Sequence, residues 1–113
     1  MRFITSLSLL AACLSSTVSA EVTCTTHHNG YTKWEVTADN VPDIPGKCAG
    51  LNANLHHSHM CGHLPGSRRF CGERDGKLVW QFITLNTCLG GMVDSAWWEA
   101  TKNNYGAIKC PGY

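Results

Sequence analysis

The sequence predicts an α+β fold, a four-stranded antiparallel sheet with two helices packed on one face. Several segments alternate apolar and polar residues as strands do, and two others repeat apolar residues at helical spacing. These segments follow one another in the order βαββαβ, which is a split βαβ arrangement. Six cysteines in the folding part of the chain predict three disulfides. An all-β sandwich and an irregular disulfide knot are the competing interpretations.

The first twenty residues predict export from the cell. Arg2 supplies a positive charge, residues 3–14 are mostly apolar, and residues 18–20 have the small side chains of a cleavage site. We therefore expect residues 1–20 to be a signal peptide and residues 21–113 to form a single secreted, extracellular domain. The apolar run is shorter than the roughly 20 residues that cross a membrane, so we expect no membrane span.

Charge and cysteine content narrow the function classes further. The chain has nine basic and eight acidic side chains, and loss of Arg2 with the signal peptide leaves equal numbers. A balanced charge does not predict binding to nucleic acid or to an anionic membrane. Seven cysteines become six when Cys13 leaves, and an even number in a small exported domain is typical of a disulfide framework. We expect no cofactor.

Four segments are predicted as strands. Residues 31–38 alternate apolar and polar side chains along their whole length. Residues 68–73 and 77–85 are joined by an Asp-Gly turn at 75–76, which favours a hairpin. The second of these segments is apolar on both faces, as a central strand should be. Residues 107–110 form the short last strand.

Two segments are predicted as helices. The first begins near Pro45, where a proline is tolerated in the first turn, and ends by His59 or Met60. The second covers residues 92–103, and Gly106 follows it as a residue able to adopt the left-handed geometry of a helix end.

The predicted topology also gives a hypothesis for the disulfides. A sheet of strand order 4-1-3-2 brings four of the cysteines towards one end and leaves two nearer the other end. Six cysteines allow fifteen connectivities, and this topology favours the pair Cys48–Cys71. The remaining four cysteines can then pair as Cys24–Cys110 and Cys61–Cys88, which is the hypothesis adopted here, although their other pairings stay open.

Four of the six histidines lie within residues 56–63. If the first helix continued, His56, His59 and His63 would share one face at spacings of three and four, as metal ligands often do. Gly62 makes such a continuation unfavourable, and no carboxylate or HExxH pattern lies nearby. A solvated loop is the preferred interpretation, so we predict no metal.

The chain contains residue types that could act as a general acid and base, but their spacing in the sequence does not favour one set over another. Glu35, with His27 or His28 and an arginine of the Arg68-Arg69 pair, would suit a secreted ribonuclease. Alternating charge on the exposed face of a strand is the ordinary explanation, so we predict no enzyme. The same dibasic pair matches a secretory processing site, although a charged edge strand explains it more simply.

The tryptophans suggest a contact surface. Three of the four fall on faces that the pattern buries, whereas Trp98 falls at the edge or outside of the second helix. An exposed tryptophan often marks a binding site, and Tyr105 follows two turns later. We therefore predict Trp98 and Tyr105 as partner contacts. The alternative is that Trp98 packs against a loop such as residues 39–47.

Two segments give the chain a resemblance to a known group. They are PGKCAGLNANL at residues 45–55 and GMVDSAWWEATKNNYGAIKC at residues 91–110. With the signal peptide and the cysteine content, they resemble the small cysteine-rich secreted proteins of fungi, many of which are candidate effectors. The predicted topology is similar to the α/β-sandwich killer-toxin type. The resemblance implies action outside the producing cell on a host or a competing microbe.

The expected function is therefore that of a non-enzymatic effector or toxin-like protein, such as a virulence factor or elicitor, acting by surface recognition. Its partner would be an extracellular protein or a cell-wall glycan. A secreted ribonuclease and a glycan-binding module, in which an exposed tryptophan stacks on a sugar, are the alternatives.

Overall fold

Four antiparallel strands form one sheet in a computed structural model that describes residues 21–111. Their spatial order is β1-β2-β4-β3. Two helices and a short 3-10 turn complete the chain. The bounds are β1 Val22–His28, β2 Thr32–Ala38, α1 Ile44–His56, the 3-10 turn His59–Cys61, β3 Phe70–Arg74, β4 Lys77–Thr84 and α2 Gly90–Thr101.

The α+β class, the four-stranded antiparallel sheet, the two helices and the three disulfides are confirmed, but the predicted order βαββαβ is wrong. The observed order is ββαββα, because β1 occupies the sheet edge that was assigned to residues 107–110. β1 and β2 are joined by a tight turn containing Gly30 at φ 77°. Such a hairpin closes a short loop and forms at lower entropic cost than pairing with a segment about 75 residues away.

The two helices begin as their sequences suggest. The side chain of Asp43 accepts a hydrogen bond from the Gly46 backbone N–H (3.3 Å), and Pro45 lies in the first turn of α1. α2 starts and ends two residues earlier than predicted, since Lys102 and Asn103 already adopt left-handed backbone geometry. α1 likewise ends before the predicted position, at His56.

Both helices pack on one face of the sheet, and tryptophans dominate the core between them. Trp34, Trp80 and Trp97 are each at most 1% exposed. Each indole N–H has an acceptor: the Thr84 hydroxyl at 2.9 Å, the Asn52 side-chain oxygen at 3.1 Å and the Gly106 carbonyl at 2.8 Å, respectively. The core therefore holds three large rings without leaving their polar atoms unpaired.

The three disulfides are part of this core or pack against it. They join β1 to the C-terminal segment, α1 to β3, and the 3-10 turn to the segment that precedes α2. The pairs are the same as those in the sequence hypothesis, although residues 107–110 are not a strand. The observed pairs are Cys24–Cys110, Cys48–Cys71 and Cys61–Cys88.

The predicted signal peptide, residues 1–20, lies outside the described residues. Among residues 21–111, no helix has the length and apolar character needed to cross a membrane.

Candidate recognition surface

The sheet has a covered face and an open face, so the molecule presents two distinct surfaces. One is the outside of the helical layer. The other is the open face of the sheet, where alternate residues of each strand point away from the helices.

The helical layer contains a groove where α1 ends beside the start of α2. The helices run antiparallel: a Cβ placed on Gly50 would lie 3.5 Å from the Cβ of Ala100, while the Ser58 hydroxyl lies 3.5 Å from the Met92 sulfur. The groove encloses about 260 Å³. It is lined by Asn54, His57, Ser58, Met92, Ser95, Ala96 and Glu99.

Trp98 projects from α2 next to this groove. Its side chain is 48% exposed and belongs neither to the core nor to the apolar side chains packed against the core. Helical spacing places the exposed residue Ser95 on the same side of α2 as Trp98. Because Ser95 also lines the groove, the groove and Trp98 form one continuous surface, which we name the helical patch.

Tyr105, the other predicted contact, has a different environment. Its ring is half-buried against the core, and the Lys47 ammonium lies 6.0 Å from the ring centroid. Lys47 is near the start of α1, whereas the groove lies at the end of that helix. Tyr105 therefore packs against the core near the start of α1, away from the groove.

The histidines of residues 56–63 are not brought together on one helix face. α1 ends at His56, the 3-10 turn follows, and the backbone is extended at Gly62. In the part of the chain that the structure describes, no group of three or more His, Cys, Asp or Glu side chains is placed to hold a metal ion. His59 lies in the 3-10 turn, and the Nδ1 atom of His63 is buried without a hydrogen-bond partner among these residues.

The acid–base candidates divide between the two faces of the sheet. Glu35 is on the open face, where its carboxylate accepts a hydrogen bond from the Gln81 amide at 2.6 Å. His27 pairs with Lys33 across β1 and β2, and strand alternation places it on the same face as Glu35. His28 is directed to the other side, where its Nδ1 lies 3.1 Å from the Thr32 hydroxyl.

The sequence did not reveal a basic depression on the open face. This depression encloses about 480 Å³ and includes Arg68 and Arg69, which the sequence suggested as an acid–base partner, a processing site or part of an edge strand. Its other cations are Lys33 on β2 and Arg74 on β3. The net charge does not indicate this cluster, because acidic side chains elsewhere in the chain balance it. Its members are distant in sequence and come together only through the register of the strands.

Compared with known proteins, the chain matches no protein family, no curated protein and no solved structure. The resemblance to small secreted fungal proteins stays a prediction. Functional inference therefore depends on the two surfaces of the chain itself.

Proposed function

We propose that this is a secreted, non-enzymatic protein that acts outside the producing cell, on a host or a competing microbe, by presenting the helical patch to a protein partner. The exposure of Trp98 is the observation that carries this proposal. The three other tryptophans supply the core, so the fold does not need a fourth large ring on its surface.

The composition of the helical patch suits an interface. Trp98 is an aromatic anchor of the kind that contributes most to binding energy at protein interfaces. Beside it, Met92 and Ala96 give the groove an apolar floor, while His57 and Glu99 give it polar edges. An apolar centre with a polar rim is the usual anatomy of a protein-binding surface.

The scaffold behind the patch supports the same proposal. A disulfide fixes α1 to β3 through Cys48 and Cys71, and another fixes the 3-10 turn to Cys88, two residues before α2. Both helices are thereby held in position before binding, which lowers the conformational entropy that recognition would cost. Three disulfides in so small a domain are also typical of an oxidising, extracellular environment.

The test is to express the full chain for secretion, purify the oxidised protein and infiltrate it into plant leaf, with growth inhibition of competing fungi as a second assay. We expect Trp98→Ala to abolish the response while the free energy of unfolding stays within about 0.5 kcal/mol of the parent. Leu85→Ala is the matched control, because Leu85 is 55% exposed but lies outside the helical patch.

Three results would count against the proposal. Loss of folded protein in Trp98→Ala would make Trp98 a structural residue. An unchanged response would remove it from recognition. Retention on chitin or glucan that depends on Trp98 would instead favour the glycan-binding module.

A ribonuclease is the second candidate, favoured by the position of His27 and Glu35 on one face of the sheet. The register pairs His27 with Lys33, two residues from Glu35, so the two side chains are diagonal neighbours on adjacent strands. RNA cleavage that is lost in both His27→Ala and Glu35→Gln would establish this alternative. The absence of cleavage by the parent protein would reject it.

A further inference from the structure

The basic depression on the open face of the sheet has a defined floor and a defined border. Gln81 and Ile83 of β4 form part of its floor. Along one side, the loop before β3 is fixed to β4, because the Leu64 backbone N–H donates to the Ile83 carbonyl at 3.0 Å. Four cations surround the depression: Lys33, Arg68, Arg69 and Arg74.

Arg74 is held in place by its neighbours on β3. Phe70, Gly72 and Arg74 are alternate residues of this strand and therefore point to the same face. A Cβ on Gly72 would lie only 2.9 Å from the Phe70 ring, so the ring occupies the space that the glycine leaves. The Arg74 guanidinium carbon lies 3.9 Å from the centroid of that ring, which is a cation–π contact. The guanidinium is thus positioned before any ligand arrives.

Charge is concentrated at this site although the chain as a whole is balanced. Half of the eight lysines and arginines in residues 21–111 line the depression, and none of its eight lining residues is acidic. Glu35 lies on the same face, where Gln81 engages its carboxylate. Of the four other cations in the described chain, Lys77 pairs with Asp39 at 3.4 Å and Lys102 with Glu99 at 3.9 Å.

We propose that this depression binds an acidic polysaccharide. A guanidinium presents a planar set of donors that matches carboxylate and sulfate oxygens, and three arginines border the depression. The partly exposed apolar side chain of Ile83 complements the C–H face of a sugar ring. The volume of about 480 Å³ is within the usual range for small-ligand sites and suits a short stretch of sugar units.

The aromatic residue at the site favours a polysaccharide over a single-stranded nucleic acid. Proteins that bind single strands stack bases on exposed aromatic rings. Here the Arg74 guanidinium lies 3.9 Å from the centroid of the Phe70 ring, and the tip of the ring contacts Gly72, so a base would have to displace the guanidinium to stack on that face. This site is on the opposite side of the sheet from the helical patch, and the inference goes beyond the recognition function proposed above.

The experiment measures binding of the secreted, oxidised full chain to immobilised dextran sulfate and polygalacturonate at about 0.15 M salt, where surface charges are screened beyond about 8 Å. Neutral dextran and single-stranded RNA are the comparison probes. The test variant replaces Lys33, Arg68 and Arg74 by Gln. The control, Lys47→Gln, also removes a cation, but from α1 on the other side of the sheet.

We expect at least one acidic polysaccharide to bind and neutral dextran not to bind. The triple variant should bind about tenfold or more weakly, because charge-assisted hydrogen bonds are lost, while Lys47→Gln should match the parent. Comparing the affinity for dextran sulfate with that for polygalacturonate shows whether the site prefers sulfate or carboxylate groups. If the triple variant melts at a lower temperature than the parent, Arg68→Gln alone replaces it. Arg68 precedes β3, so this substitution changes no residue of a strand.

Three outcomes would overturn the proposal. One is no binding to either polysaccharide. Another is an equal loss in Lys47→Gln, which would show attraction to charge anywhere on the surface. The last is tighter binding to RNA than to either polysaccharide, which would assign the site to nucleic acid.

Discussion

Gly90 is a position where a single methyl group should disrupt the packing of the C-terminal segment. It is buried at the start of α2. A Cβ at this position would lie 2.5 Å from the Cys110 carbonyl oxygen and 2.7 Å from that of Pro111. These are backbone atoms in a segment tied down by the Cys24–Cys110 disulfide and by a 2.8 Å hydrogen bond from the Cys110 N–H to the Asp94 carboxylate. The C-terminal segment therefore cannot move away from an added methyl group without straining the disulfide or this hydrogen bond.

The expected cost of Gly90→Ala follows from three contributions. Overpacking of this kind costs about 1–3 kcal/mol. Straining the hydrogen bond between Asp94 and Cys110 adds to this cost, by up to about 1–3 kcal/mol if the bond is lost. The lower chain entropy of alanine in the unfolded state offsets about 0.4–1 kcal/mol. We expect a net destabilisation of about 2 kcal/mol, which lowers the melting temperature by about 8–16 °C for a domain of this size.

The assay is thermal and guanidinium unfolding of the oxidised, secreted protein, with Gly91→Ala as the matched control. Gly91 is the next residue of the same helix, but it is exposed, and a methyl group added there would meet no atom within 4 Å. Its substitution should raise stability by up to about 1 kcal/mol through helix propensity. Equal effects of the two substitutions would refute the close packing of the C-terminal segment on α2.

Two further predictions concern the cross-links and a helix end. Replacing Cys24 and Cys110 by Ala should cost about 4–5 kcal/mol and replacing Cys48 and Cys71 about 3–4 kcal/mol, because the sequence separations are 86 and 23 residues. Denaturant midpoints of the two double variants test this order, and the reverse order would contradict the loop-entropy explanation. Lys102→Gly should stabilise the protein by about 1 kcal/mol, because Lys102 has φ 53° in left-handed geometry. A lower melting temperature for this variant would show that the Lys102 side chain stabilises the protein by more than its left-handed backbone geometry destabilises it.

The error in the predicted strand order has a physical cause. Residues 107–110 contain Ile108, which is buried, and its apolar side chain made the segment resemble a strand. Ile108 is in fact buried because residues 107–110 pack against the core as irregular chain. In contrast, β1 consists largely of threonine and histidine and is only partly buried, as an edge strand can be. Apolar content therefore pointed to the wrong segment, while the turn at Gly30 was the better signal of pairing.

The two surfaces differ in how far the sequence could predict them, because they depend on interactions of different range. The exposure of Trp98 follows from the periodicity of a single helix, which is local information. The basic depression unites Lys33 with Arg74, residues from strands that are not adjacent, and depends on the register of β4 between them. A shift of one residue in β2 or β3 relative to β4 would move the cation of that strand to the other face. The net charge of the chain does not predict such a cluster of cations.

The separation of these surfaces has a functional consequence if both proposals hold. The helices cover one face of the sheet, and the cations occupy the other. A polysaccharide bound at Arg74 would therefore leave Trp98 accessible to a protein partner. Binding to a charged matrix would hold the protein close to a cell surface and raise its local concentration there, which strengthens a weak second contact without any change in that contact. A small domain with a modest helical patch gains most from this arrangement, because the patch alone offers a limited area for recognition.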